Sequence, residues 1–106
     1  MSLERVINAL VSLGLTRIAA EVYVYIAKKG KRNVVSLASA LNYNRKKIYT
    51  SLKNLQTKGL VTKDRTMFSA LPFEEALDLL IKKEKEQAQA IQDSREELLV
   101  NWKTND

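Results

Sequence analysis

The chain has 106 residues, 45% of them hydrophobic, with three Gly, one Pro, no Cys and no His. That length makes one domain with a core of its own and a composition that favours helix. The missing Cys and His exclude zinc fingers, disulfide scaffolds, thiol nucleophiles and imidazole acid–base work, and neither a metal nor a cofactor is expected. The net charge of +6 is unevenly spread: residues 31–65 hold nine Lys/Arg against one acid, and residues 66–106 hold five against nine. A basic middle beside an acidic end is a focused positive field, the footprint of a polyanion partner.

In MSLERVINALVSLGL the polar Glu4, Arg5 and Asn8 interrupt the apolar residues, which predicts an amphipathic helix rather than a signal peptide. Ser2 is its expected cap and Gly14 its stop, with Val6, Ile7, Leu10, Val11 and Leu13 turned inward. No apolar run reaches the length of a membrane span, and a cytoplasmic protein is expected. Thr16 caps a second helix over 17–29, and Gly30 ends it. KRNVV (31–35) is read as a brief edge strand. Ser36 is taken as the cap of a short helix over 37–41, followed by a tight turn at Asn42, a residue that tolerates the left-handed backbone.

Asn44 then caps the helix NRKKIYTSLKNLQTKG (44–59). Ile48, Leu52 and Leu55 recur at helical spacing and supply a buried stripe. The other sides carry Arg45, Lys46, Lys47, Tyr49, Thr50, Lys53 and Asn54. Two short helices with a tight turn and a basic, amide-rich outer face predict a helix-turn-helix whose second helix lies in a groove of a polyanion. VTKDRTMFSAL (61–71) reads as a β-hairpin turning at 64–66, with Lys63 and Arg65 near its tip.

Pro72 opens a long helix predicted from Phe73 to about Lys103, roughly 45 Å of it. Its heptad positions are Leu77, Ile81, Glu84, Ala88, Ile91, Arg95, Leu98 and Trp102. This exceeds what a small domain can cover, so a second copy is the expected partner. In a parallel pair Glu84 and Arg95 would each face their own kind. In an antiparallel pair Glu84 meets Arg95, Ile81 meets Leu98, and Leu77 meets Trp102. The chain thus divides into a DNA-binding domain, 1–72, and a dimerisation helix, 73–106. The fold class is mainly α with a small β-hairpin: a winged helix-turn-helix domain plus a long C-terminal helix.

The order of motifs also resembles a known family. LGLTRIAAEVYVYIAKKG (13–30), ALNYNRKKIYTSLKNLQTKGLV (40–61) and FSALPFEEALDLL (68–80) are similar to the N-terminal DNA-binding domain of the TrmB family, mostly archaeal transcriptional regulators. The resemblance spans about 10–82. It implies a recognition helix whose N-terminal half enters the major groove, with Asn44, Arg45, Lys46, Tyr49, Thr50 and Lys53 as contacts. Asn42-Tyr43-Asn44 departs from the family's usual Gly-aliphatic-Pro turn. Family members carry a further effector domain, for sugars for example, and the resemblance brings no ligand-sensing residue to this chain.

Among these residues Arg45 suits a guanine edge or a phosphate, Thr50 and Asn54 suit neutral readout, and Lys46 and Lys53 suit phosphates. Helical spacing leaves Tyr49 open between core and DNA. Ser36 with its helix's first turn suits a phosphate or only a cap, and Lys63 and Arg65 suit backbone contacts. Two other readings compete with a sequence-specific homodimeric regulator of double-stranded DNA: a winged-helix protein-interaction module, and a sequence-indifferent architectural DNA binder. An enzyme is not expected, because the paired acids Glu74-Glu75 and Glu96-Glu97 lie on helix surfaces and no Gly-rich phosphate loop exists.

Overall fold

The spacing of apolar residues along the chain fixes where its helices bury themselves, and the computed structural model describes the result for residues 3–105. Ser2, the expected cap of the first helix, lies outside the described residues. Helix α1 (Leu3–Ser12) lays Leu10 into the core, with Val6 and Ile7 half-buried beside it, while Val11 faces solvent. Helix α2 (Arg17–Lys29) is the spine. Ala19, Ala20, Val22, Tyr23, Val24 and Ile26 are all buried. Thr16 caps it as expected, its hydroxyl accepting from the Ala19 N–H at 3.1 Å.

The expected edge strand at 31–35 reduces to a single antiparallel bridge between Arg32 and Phe68. The reason is local. The Asn33 side chain accepts from the Ser36 N–H at 2.8 Å, so helix α3 (Val34–Leu41) begins three residues earlier than expected. Ser36 is therefore not the cap: it sits within the first turn, and its own N–H is already taken by Asn33. Helix α4 (Arg45–Thr57) follows a turn in which Asn42 adopts φ 61° and ψ 41°. Ile48, Leu52 and Leu55 are buried, as their spacing demanded. Each such side chain, moved from water to the core, contributes on the order of 1.5–3 kcal/mol. Gly59, at φ 78°, reverses the chain so that Leu60 N–H bonds to the Leu55 carbonyl at 2.9 Å and Gly59 N–H to that of Gln56 at 3.0 Å. These are the paired bonds of a Schellman helix end.

Strands β1 (Val61–Asp64) and β2 (Met67–Ala70) pair antiparallel from Val61↔Ala70 to Asp64↔Met67, with Phe68 and Val61 turned into the core. Pro72 precedes helix α5 (Phe73–Asp93), whose Ala76 and Leu80 close the core from below. The expected continuous helix from Phe73 to Lys103 is interrupted at Ser94, where φ is −98° and ψ is 6°, and a separate helix α6 (Arg95–Thr104) follows. The Ser94 N–H donates back to the carbonyls of both Ala90 and Ile91, a tightening typical of helix ends. Beyond Lys83 every residue of α5 and α6 is exposed, and the molecule is elongated, 50 × 28 × 28 Å.

Candidate nucleic-acid interface

Helix α4 is held at three points. At its start, Asn44 accepts from the Lys47 N–H at 2.9 Å. At its end, Lys83 of α5 donates to the Lys58 carbonyl at 3.1 Å, placing a cation where the helix dipole is negative. Along its inner side it packs on α2 through Ile48, Leu52 and Leu55. The turn before it is tied back too. The Tyr43 hydroxyl donates to Glu21, whose carboxylate also pairs with Arg17, and Arg17 in turn reaches Glu4 of α1. That hydrogen bond, with some burial, raises the Tyr43 phenol above its ordinary pKa. An aromatic at 43, unexpected for the family, thus anchors the turn to α2.

Exposed on α4 are Arg45, Lys46, Lys47, Tyr49, Thr50, Lys53 and Asn54, with Gln56 and Thr57 in its last turn. With Ile48 and Leu52 inward, the helical repeat puts Lys46, Thr50 and Lys53 on the outermost line. Arg45 and Tyr49 lie on the flank toward the hairpin, and Lys47 and Asn54 on the other. Tyr49, undecided from spacing alone, is 56% exposed and belongs to the surface. Two candidates are partly committed to the backbone. Asn44 spends its side-chain oxygen on the cap, and the Thr50 hydroxyl donates to the Lys46 carbonyl at 3.0 Å, leaving its lone pairs free to accept.

The hairpin stands next to this face. Asn33, Val34 and Val35 of the α3 entry, Tyr49 of α4, and Lys63, Thr66 and Phe68 of the hairpin line one concavity of about 390 Å³. Lys63 extends over the Phe68 ring, 5.7 Å from its centroid. Arg65 takes the first place of the two-residue loop with φ 61°, the positive value such hairpin turns need there. Arg32 is folded inward instead, over the Tyr25 ring and donating to the Lys31 carbonyl at 2.8 Å. From Lys31 to Lys63 the sequence contains no acidic residue. Sequence reasoning missed Asn33 as the α3 cap, although its place three residues before Ser36 is the ordinary spacing for one. It also missed Val35, exposed beside Tyr49.

Of the heptad residues, Leu77 and Ile81 are half-buried, whereas Glu84, Ala88, Ile91, Arg95, Leu98 and Trp102 are exposed, Trp102 at 80%. The Arg95 guanidinium donates to Glu96 of its own helix at 2.9 Å. Among the described residues no helix is long and apolar enough to cross a membrane.

A helix-turn-helix followed by a two-stranded wing, with the second helix basic and open to solvent, defines a winged helix-turn-helix protein. A family model described as "Sugar-specific transcriptional regulator TrmB" matches residues 10–74, more than half of the chain. The chain belongs to the TrmB family and is a DNA-binding transcriptional regulator. Among solved structures, that of transcriptional regulator Tm0710 from Thermotoga maritima matches with a TM-score of 0.57 at 20% identity, covering 93% of this chain and 84% of that one. At that identity the likeness speaks for the fold. No curated protein matches the sequence.

Proposed function

We propose that the chain reads a specific duplex sequence as a homodimer, with α4 in the major groove. Residues 1–72 bind DNA in this reading and residues 73–106 join the two copies. The observation that carries the groove assignment is the exposed face of α4 flanked by the wing: every charged group on it is cationic, and its buried stripe leaves it no other orientation. Arg45, at the helix start, is the base reader, because bidentate recognition of a guanine edge needs a guanidinium fork near the groove floor. Lys46 and Lys53 neutralise phosphates to either side, Lys63 and Arg65 add backbone contacts from the wing, and Asn54 and Thr50 offer neutral groups to bases or phosphates.

Pairing is supported by the bare apolar residues Ile91, Leu98 and Trp102 on α5 and α6. An antiparallel contact puts Glu84 against the partner's Arg95 and small Ala88 against the partner's Ile91, with the twofold between Gln89 and Ala90.

Selection of bound duplexes from a random pool tests the whole reading. A palindromic site with half-sites about one helical turn apart is expected. Arg45→Ala should cost on the order of 1–3 kcal/mol and relax preference at one position. Lys53→Ala should weaken all sequences alike and reduce the salt slope by about one unit. Equal affinity for selected and random duplexes would sink sequence-specific reading.

A further inference from the structure

Tyr49 and Val35 are 56% and 53% exposed, and both border the concavity between α3, α4 and the wing. An aromatic ring and a branched aliphatic left together in water are out of place on a face otherwise built of Lys, Arg, Asn and Thr. They hold no part of the core in place, since Ile48, Leu37 and Phe68 already fill it. Tyr49 lies one helical turn after Arg45 and one turn before Lys53, so any approach that brings those cations to a duplex carries the ring in with them. Lys63, on the opposite wall, keeps the rim positive. The occupant must therefore be part of a polyanion and yet present an apolar group to this spot. The major groove of DNA offers one such group, the C5 methyl of thymine.

We infer that Tyr49 and Val35 form an apolar reader of thymine methyl groups, which sets the operator's A·T positions while Arg45 sets a guanine. The inference rests on the groove reading of α4 and adds to it the chemical class of base that the wing-side flank selects. It distinguishes T·A from A·T as well as from G·C, because the methyl lies on one side of the pair only.

Deoxyuridine pairs as thymine does but lacks the methyl, so it removes this contact alone. In the best duplex from the selection, each thymine in turn is replaced by deoxyuridine and the dissociation constant is measured. Wild-type protein should lose about fourfold in affinity per methyl at one or two positions and nothing at the rest, the ratio that transfer of one methyl-sized group from water implies. Tyr49→Ala, and separately Val35→Ser, both at exposed sites and checked for folding by circular dichroism, should bind more weakly and no longer discriminate thymine from deoxyuridine there. Three results overturn the inference while leaving groove binding intact: no penalty at any thymine, the same penalty in Tyr49→Ala as in wild type, or a selected site with no thymine. Absence of salt-dependent binding to any duplex would overturn the groove reading itself.

Discussion

Asn33 and Asn44 start the two helices of the helix-turn-helix by one device, a side-chain oxygen accepting from the N–H three residues on, at 2.8 and 2.9 Å. Each satisfies a donor that the first turn would otherwise leave open. Asn44 was also a candidate DNA contact, and its two roles separate by substitution. Asn44→Ala should lower stability by about 1 kcal/mol, a fall in Tm of several degrees in a domain this size. Asn44→Ser keeps a capping oxygen and removes only the amide. If Asn44 acts through the cap alone, Asn44→Ser keeps both the Tm and the DNA affinity of wild type, measured by thermal melts and titration. Loss of affinity without loss of Tm would assign the amide to DNA. The cap at 44 was legible because Asn44 precedes a plainly periodic stripe. The cap at 33 was not, because Val34 and Val35 suggest a strand until the Asn33 bond is seen. Tyr49 was illegible for a different reason: at 100° from Ile48 it sits on the border of the buried arc, where spacing cannot decide, and the structure leaves it exposed.

At the scale of elements, the order and kind of α1 to α5 and of the hairpin followed from periodicity and from Gly14, Gly30 and Gly59, while the reduction of the expected strand at 31–35 to one bridge did not, nor did the break at Ser94. No Pro or Gly marks it, and the local signal is confined to Asp93 and Ser94, residues that favour caps and turns over helix interiors. In the isolated chain α6 buries nothing, so nothing beyond its own hydrogen bonds aligns it with α5. A partner helix would supply that alignment. Exposed ion pairs contribute little each, but two symmetric ones choose between orientations. Glu84→Lys should weaken self-association, since it sets the new cation against Arg95, and Arg95→Glu should do the same by setting two acids together. The double reversal Glu84→Lys with Arg95→Glu should restore it. Sedimentation over a range of concentrations reads the outcome. A double variant as weak as either single one would exclude the antiparallel register. Trp102 gives a second signal: at 80% exposure it should emit in the red at low concentration and shift to the blue as copies pair.

Over the whole molecule the charges separate. The cationic block covers the segment entering α3 (Lys31, Arg32), α4 and the wing, and the acidic excess lies on α5, directing a polyanion to one end of an elongated body. With no His and no Cys, the chain lacks the side chains that ordinarily titrate between pH 6 and 9, so this field and the DNA affinity should stay constant across that range. The limit comes from the core. Tyr23 is 1% exposed at the centre of α2, its hydroxyl donates to the Leu71 carbonyl, and burial pushes its pKa up to about 12. In the unfolded chain the same phenol titrates near the ordinary tyrosine value of 10.0. Between those values the unfolded state has released a proton that the folded state still holds, so stability falls as pH rises. The contribution is complete below pH 10 and is lost progressively on the way to 12, and Tyr43, raised by its bond to Glu21, acts in the same direction. Thermal melts should therefore give a level Tm from pH 7 to 9 and a decline above 10. In Tyr23→Phe, which has no proton to lose, the starting Tm is lower because the Leu71 carbonyl loses its donor, and the decline above pH 10 is shallower. An equally steep decline in that variant would show that some other group governs the alkaline limit.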